Sequence, residues 1–415
     1  MTGAPPRLAA ASHRMTLLST CDLAGRPDCL QIMLWRGHAF MTHPFSGGFS
    51  VVDVRDPRQP RPVAHVPAPP GTKTLHLQLS DGILLVTNEA DDSASRKYLD
   101  KAQYFGAQLG GGTSGLGEYS AGVRVYDVSV PARPVEIGFL AIPGFGVHRL
   151  WWAGGGLATA SSMPPGHSDF ILSVLDMSDP AVPRLRGHWA PQEMSRPGPD
   201  RIGSGRIGLH HAILSGGLAY GAWRAGGLHI TDVSITDVSG ETPRSAGSLG
   251  PGAWNGGNTH TTLPLAGRGL VVLADESVQE HGADGIRRIW LLDVADRRRP
   301  RVIGAFPEPA EQDFRALGGV FGPHNLHENR PGTWQSEDVI FATYQNAGVR
   351  AYDISDPGAI TEIGFAVPPP PPKNVDPRAG AALVPQSADL LVTAEGLVLV
   401  SDLNAGLTIT QFEGA

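Results

Sequence analysis

The sequence predicts an all-β protein: a seven-bladed β-propeller whose last blade is completed by a strand from the N-terminus. Three observations predict it. Of 415 residues, 53 are Gly and 36 are Pro, residue types that disfavour helix interiors and mark turns. One short phrase recurs along the whole chain. The chain also begins with a strand-like segment of the kind that its last repeat lacks.

The recurring phrase reads GGFSVVDVRDPRQPRPV, GVRVYDVSVPARPVEIG, ILSVLDMSDPAVPRLRG, GGLHITDVS, IRRIWLLDVADRRRPRVIG and GVRAYDISDPGAITEIG. Its anchoring acids are Asp53, Asp127, Asp176, Asp232, Asp293 and Asp353, and a seventh copy, AGLTITQF, carries Gln411 at that place. Successive anchors stand 49 to 74 residues apart. In each copy alternating β-branched and apolar residues make a strand, and a turn follows the anchoring residue, spelled Asp-x-Ser-Asp-Pro at Asp176 and Asp353. Pro beyond the Asp cannot donate to a ladder, so the strand ends there. Recurrence in six of the seven copies marks these Asp residues as turn caps.

Upstream of the phrase lie two further strand-like runs joined at a Gly turn, as in LHLQLSDGILLVTNE, VHRLWWAGGGLATAS, HHAILSGGLAYGAWR and SADLLVTAEGLVLVSD. Four short strands in each of seven repeats suit a propeller, which closes on itself and protects its edges. The last repeat stops after its third strand. Met15 to Thr20 reads as the missing fourth strand, so residues 15–415 form one propeller and residues 1–14 a tail.

The phrase resembles the LVIVD repeat, whose naming strand appears here as SVVDV, RVYDV and SVLDM. The resemblance covers almost the whole chain. It implies the propeller fold and little about function, since propellers host enzymes, receptors and scaffolds alike.

Charge and composition exclude some partners. The net charge is −7 and the arginines are scattered, so no broad basic face for nucleic acid is expected. No apolar run reaches the roughly eighteen residues of a membrane-spanning helix. Cys21 and Cys29 are too few for a disulfide framework; they could pair, but a reduced state is the simpler reading. The first residues lack the apolar core of an export signal, and a cytoplasmic location is expected. Nothing in the sequence sets an oligomeric state.

Histidines recur in register. His76, His148 and His211 each open the first strand of a repeat, and His260 and His324 take the same place before longer turns. Gln31 matches them in the first repeat. The first strand of a blade lines the propeller axis, so these imidazoles are expected to meet at one axial spot, where neutral imidazole is a good ligand for a divalent transition metal. If the strand start slips by one residue, His210 replaces His211. Where the second strand ends, Glu89, Glu276, Arg224 and Tyr344 should share the face of the ring. The two glutamates are the expected orienting partners of metal-bound histidines.

Long segments at 90–121, 188–208, 305–323 and 367–385 should emerge over the same face, with Tyr104, Phe105 and Phe321 walling a pocket. His43, His65, His188, His229, His281 and His327 are out of register and read as packing or surface residues. Trp151, Trp152 and Trp290 read as blade core, the glycines at 110–115 as a flexible loop, and Pro368 to Pro372 as a stiff connector.

The layout is similar to that of the carotenoid-cleavage oxygenases, propellers with four axial histidines on Fe(II) and outer glutamates. It also has a parallel in methanethiol oxidase of the selenium-binding family. The sequence matches neither outside the histidines. By that analogy His148, His211, His260 and His324 bind a metal, with iron first and manganese, zinc or copper as alternatives. Glu89 and Glu276 orient ligands, and His76 is a fifth ligand or a general base. The implied activity is an oxygenase or oxidoreductase acting on a small aromatic or apolar substrate. One alternative is a lyase or hydrolase using Mn or Zn, with Gln31 joining the histidines as in some sugar lyases. Arg224 and Arg149 would be its basic groups. The other alternative is a non-catalytic interaction scaffold.

Overall fold

The computed structural model describes residues 8–106, 109–110, 116–195, 205–234 and 243–414. They form antiparallel sheets with two short α-helices, Arg96–Leu99 and Lys101–Gly106. Most of the expected loop at 110–115 and part of the connector at 188–208 lie outside the described residues.

Four strands paired in chain order make the recurring unit. Ile32–Trp35, His38–Thr42, Phe49–Asp53 and Arg61–Val66 pair in this way. So do Gly146–Trp151, Leu157–Met163, Ile171–Asp176 and Arg184–Trp189. Two late units borrow their outermost strand from the start of the chain. Met15–Cys21 pairs with Gly406–Phe412, and Ala11–His13, within the segment expected to be a tail, pairs with Thr361–Val367.

Each anchoring Asp caps its turn. The carboxylates of Asp53, Asp127, Asp176, Asp232, Asp293 and Asp353 each accept the backbone N–H two residues on, at 2.7–3.1 Å, the Asx-turn geometry. A glycine opens the third strand in several units: Gly48, Gly122, Gly227, Gly348 and Gly406 all have positive φ. A Cβ on any of them would collide with a backbone carbonyl of the strand paired on its outer side: Val66, Leu140, Leu249, Ala366 and Cys21 respectively. The repeat keeps Gly there because two backbones approach closely.

Packing links each unit to the next. Met33, Phe40 and Val51 share an apolar cluster with Leu77, Leu84 and Val86, and Leu85 and Val125 share another with Val147 and Leu150. One cluster joins the ends of the chain, with Ile32, Ala39 and Val52 against Leu391, Leu399 and Ile409. Cys21 and Cys29 are unpaired; burial raises the Cys29 thiol well above its ordinary pKa.

Candidate metal centre

A β-bulge in the inner strand of the unit aims one residue at the centre. His148 is left unpaired between Val147 and Arg149, His260 between Thr259 and Thr261, and Ala388 between Ser387 and Asp389. In Ile207–Ser215 the pairing skips to His211, so His210 holds the equivalent place. Thr343 bonds both His324 and Asn325 through its backbone, which sets His324 there too. The same bonding by Thr42 to Leu30 and Gln31 puts Leu30 at this level. In the second unit the backbone N–H of Thr87 bonds the carbonyl of His76, which leaves Leu75 there.

This corrects the expected register. Four successive units present His148, His210, His260 and His324, and His211 is not among them. His211 and His76 lie one residue further along, level with Gln31, Arg149, Thr261, Asn325 and Asp389. Counting back from the Gly assumes equal hairpin turns, but pairing closes tightly at Ser80–Ile83 and Ser215–Leu218 and only at Trp151–Thr159 in the unit of His148, hence the slip. His211 is buried with Nε2 3.6 Å from Glu328, within a polar layer where Arg149 donates to Asn325 at 2.6 Å and to Glu328 at 3.0 Å. His76 leans back to the upper ring: its centroid is 5.2 Å from that of His148 and 6.0 Å from that of His210.

Hydrogen bonds set the tautomers. Nδ1 of His210 lies 2.8 Å from the carbonyl of His260, Nδ1 of His260 lies 2.8 Å from that of His324, and Nδ1 of His324 lies 2.5 Å from that of Ala388. A carbonyl only accepts, so each Nδ1 carries the proton and each Nε2 presents a free lone pair. Nδ1 of His148 meets the Glu89 carboxylate at 3.1 Å, with the same consequence. Burial, then neighbouring cations and imidazoles, holds His76, His210 and His260 well below the ordinary histidine pKa. Burial also lowers His148 against the pull of Glu89. These rings are neutral at neutral pH, as ligands must be.

Two groups of donor atoms converge: His76, His148 and His210, and separately His260, Glu276 and His324, each within 4.8 Å of one another. Glu276 lies 3.7 Å from Nε2 of His260 and 3.5 Å from Nε2 of His324. Those separations are long for hydrogen bonds. The two contacts use different carboxylate oxygens, and the three donor atoms lie within 4.8 Å of one another, near enough for one ion to draw them in. The donor set therefore fits a divalent transition metal.

Charged groups brace the ring. Arg224, in the left-handed region at φ 48°, reaches Glu276 at 3.2 Å and Asn258 at 3.1 Å. Burial pushes the Glu276 carboxyl up, but the His324 ring, in the form that carries a proton on Nε2, and the Arg224 guanidinium bring its pKa down to about 2. Glu89 is likewise pushed up by burial and brought below its ordinary value by Lys73 and His148. Lys73 is buried, 3.1 Å from Glu89 and 2.5 Å from Asp92.

Above the ring is a cavity of about 120 Å³ whose lining includes Tyr98, Tyr104, Phe105, Phe170, Arg206 and Arg378. The expected insertion supplies Tyr98, Tyr104 and Phe105 on its two helices, clamped by cations. Lys73 and Arg378 each lie 4.5 Å from the Tyr98 ring, and Arg224 lies 5.5 Å from Phe105. Tyr344 and Phe321 are elsewhere: their rings pack at 5.3 Å in an apolar cluster between units, where Phe321 also stacks on Phe314 of the same connector. Neither touches the cavity. Sequence reasoning missed Lys73, Arg206 and Arg378. Lys73 had a usable signal, since it is one of only four lysines and stands three residues before His76.

The units, their inner bulges and their shared clusters define a β-propeller. The fold is similar to that of the β-propeller domain of Cps50 (Swd1) from Myceliophteria thermophila, with TM-score 0.52, 10% identity, and coverage of 93% of this chain and 97% of that one. It is also similar to a functionally unknown protein from Desulfotomaculum acetoxidans DSM 771, with TM-score 0.50, 10% identity, and coverage of 82% and 89%. No family model and no curated protein matches the chain, so the LVIVD resemblance rests on the repeat phrases alone. Among the described residues no helix is long and apolar enough to cross a membrane.

Proposed function

We propose that the chain is a seven-bladed propeller and a metal-dependent enzyme, an oxygenase or oxidoreductase of the non-haem iron type acting on a small aromatic or apolar substrate. The observation that carries this reading is the row of Nδ1 hydrogen bonds, which turns the bare Nε2 atoms of consecutive units toward one cavity. Two histidines and one carboxylate, His260, His324 and Glu276, are the donor set typical of non-haem iron. A metal held there supplies Lewis acidity and, as iron, dioxygen chemistry.

The protein's own groups have separate tasks. Arg224 holds the Glu276 carboxylate in place and keeps it ionised. Glu89, backed by Lys73, fixes the His148 tautomer. Tyr98, Tyr104 and Phe105 cover the cavity and exclude water, and their rings favour an aromatic or apolar substrate. The volume admits only a small one. The lyase reading with Gln31 as a ligand is weaker, because the Gln31 amide oxygen accepts the Leu77 backbone N–H at 2.9 Å and the residue does not line the cavity.

Elemental analysis of untagged protein tests the proposal. At least one transition-metal ion per chain is expected, with iron favouring the oxidative reading and zinc or manganese the hydrolytic one. Protein that stays far below one ion per chain after incubation with Fe(II) or Zn(II) supports the scaffold reading and overturns the enzyme.

A further inference from the structure

We infer that the axial centre takes two metal ions side by side: one on His76, His148 and His210, the other on His260, Glu276 and His324. This rests on the reading that the axis holds a metal at all. The rings of His210 and His260 are stacked, with centroids 3.5 Å apart and planes 26° from parallel. Imidazoles that share one ion radiate from it, so two rings lying face to face do not point at the same ion. Both rings also face the same way, since each sends Nδ1 to the carbonyl of the next ring position. Their Nε2 lone pairs therefore run nearly parallel toward neighbouring points. The neighbouring pairs are more open, at 4.3 Å and 34° for His260 and His324 and 5.0 Å and 67° for His148 and His210, so the stack is where the four-histidine row divides.

Each half is completed by a different third donor. In the second half Glu276 spans His260 and His324 at 3.7 and 3.5 Å. In the first half the third donor is His76, reaching up from the layer beneath. Its side chain is buried, and its Nδ1 has no hydrogen-bond partner. A buried imidazole nitrogen left unpaired costs on the order of 1–3 kcal/mol, and a metal–nitrogen bond at that atom would remove the cost. Both three-donor groups have atoms within 4.8 Å of one another, and no single group includes all the donors.

The two positions differ in chemistry. Three neutral imidazoles suit zinc, copper, nickel or iron, while the carboxylate-containing set also suits manganese. Glu89 orients His148 and is itself neutralised by Lys73, so the three-histidine position takes its ion without a directly bound charge. Two adjacent ions would let one substrate atom bridge them, the arrangement of two-metal sites.

Titration of metal-free protein with Co(II), followed by visible absorption and by elemental analysis after desalting, tests the inference. Absorbance should rise to two equivalents per chain. His76→Ala and Glu276→Gln should each stop at one, with unchanged circular dichroism showing that they are folded. If the wild type saturates at one equivalent, the two-ion centre is overturned while the metal reading stands. If no Co(II) binds, both fall. The wild-type titration decides the matter even if a variant does not fold.

Discussion

At the scale of single residues, the difference between His210 and His211 is decisive. Both are buried, both are histidine, and they are neighbours in one strand, so only the bulge separates the proposed ligand from a packing residue. His210→Ala should lose bound metal. His211→Ala should keep full metal content, with a lower unfolding midpoint because its neighbours Trp151 and Glu328 lose a packed partner. Elemental analysis of the two variants checks this, and the opposite pattern would show that the strand register is wrong. His148, His260, His324, Glu89, Glu276 and Arg224 were legible in the sequence because a repeat shows equivalent positions directly. His76 and His211 were displaced by one because the hairpin turns differ in length, so an equal count back from the Gly reaches different levels in different units. Arg206 and Arg378 had no signal: they reach the cavity from connectors, where no periodicity constrains position.

At the scale of elements, the repeat phrase encodes its own geometry. Asp ends the third strand by capping a turn, and Gly opens it where the next strand outward passes too close for a Cβ. Gly348 and Gly155 separate these requirements, since both have φ of +78°. A Cβ at Gly348 meets the backbone carbonyl of Ala366, whereas one at Gly155 meets nothing within 4 Å. Gly155→Ala should cost about 1 kcal/mol, the price of the left-handed conformation alone. Gly348→Ala should cost roughly 2–3 kcal/mol, because the opposing backbone cannot step aside. Urea unfolding midpoints measure both, and equal losses would show that the close approach relaxes freely. The strands and turns were legible because they follow alternation and turn chemistry. The inward fold of 305–323, which carries Phe321 and draws Tyr344 into an apolar cluster, depends on a contact between units that no local pattern announces.

At the scale of the whole molecule, the ring must bury charge at its centre while its two ends are tied together by Met15–Cys21, and that sets how stability responds to pH. Asp389 stands in the polar layer beneath the histidines. Burial raises its pKa to about 7, Arg149 pulling it down and Glu328 pushing it up. Asp402 is raised to about 6 by burial. A carboxyl whose pKa is higher folded than unfolded stabilises the fold most when protonated, below about pH 4, and that contribution is lost as pH rises to about 7. His43 and His327 act oppositely. Burial lowers both to about 4, so their contribution is present above the ordinary histidine value and is lost as pH falls from about 6.5 to 4. The two trends offset each other in the native chain. Asp389→Asn removes one of them while retaining an oxygen to accept the Ile32 backbone N–H, which Asp389 now takes at 3.3 Å. The variant should gain stability relative to the native protein as pH rises from 4 to 7, by an amount on the order of a few kcal/mol, and should lose stability more steeply on acidification. Chemical unfolding at pH 4, 5.5 and 7 checks this; parallel curves for the two proteins would mean that Asp389 ionises freely and that the layer beneath the ring is open to water.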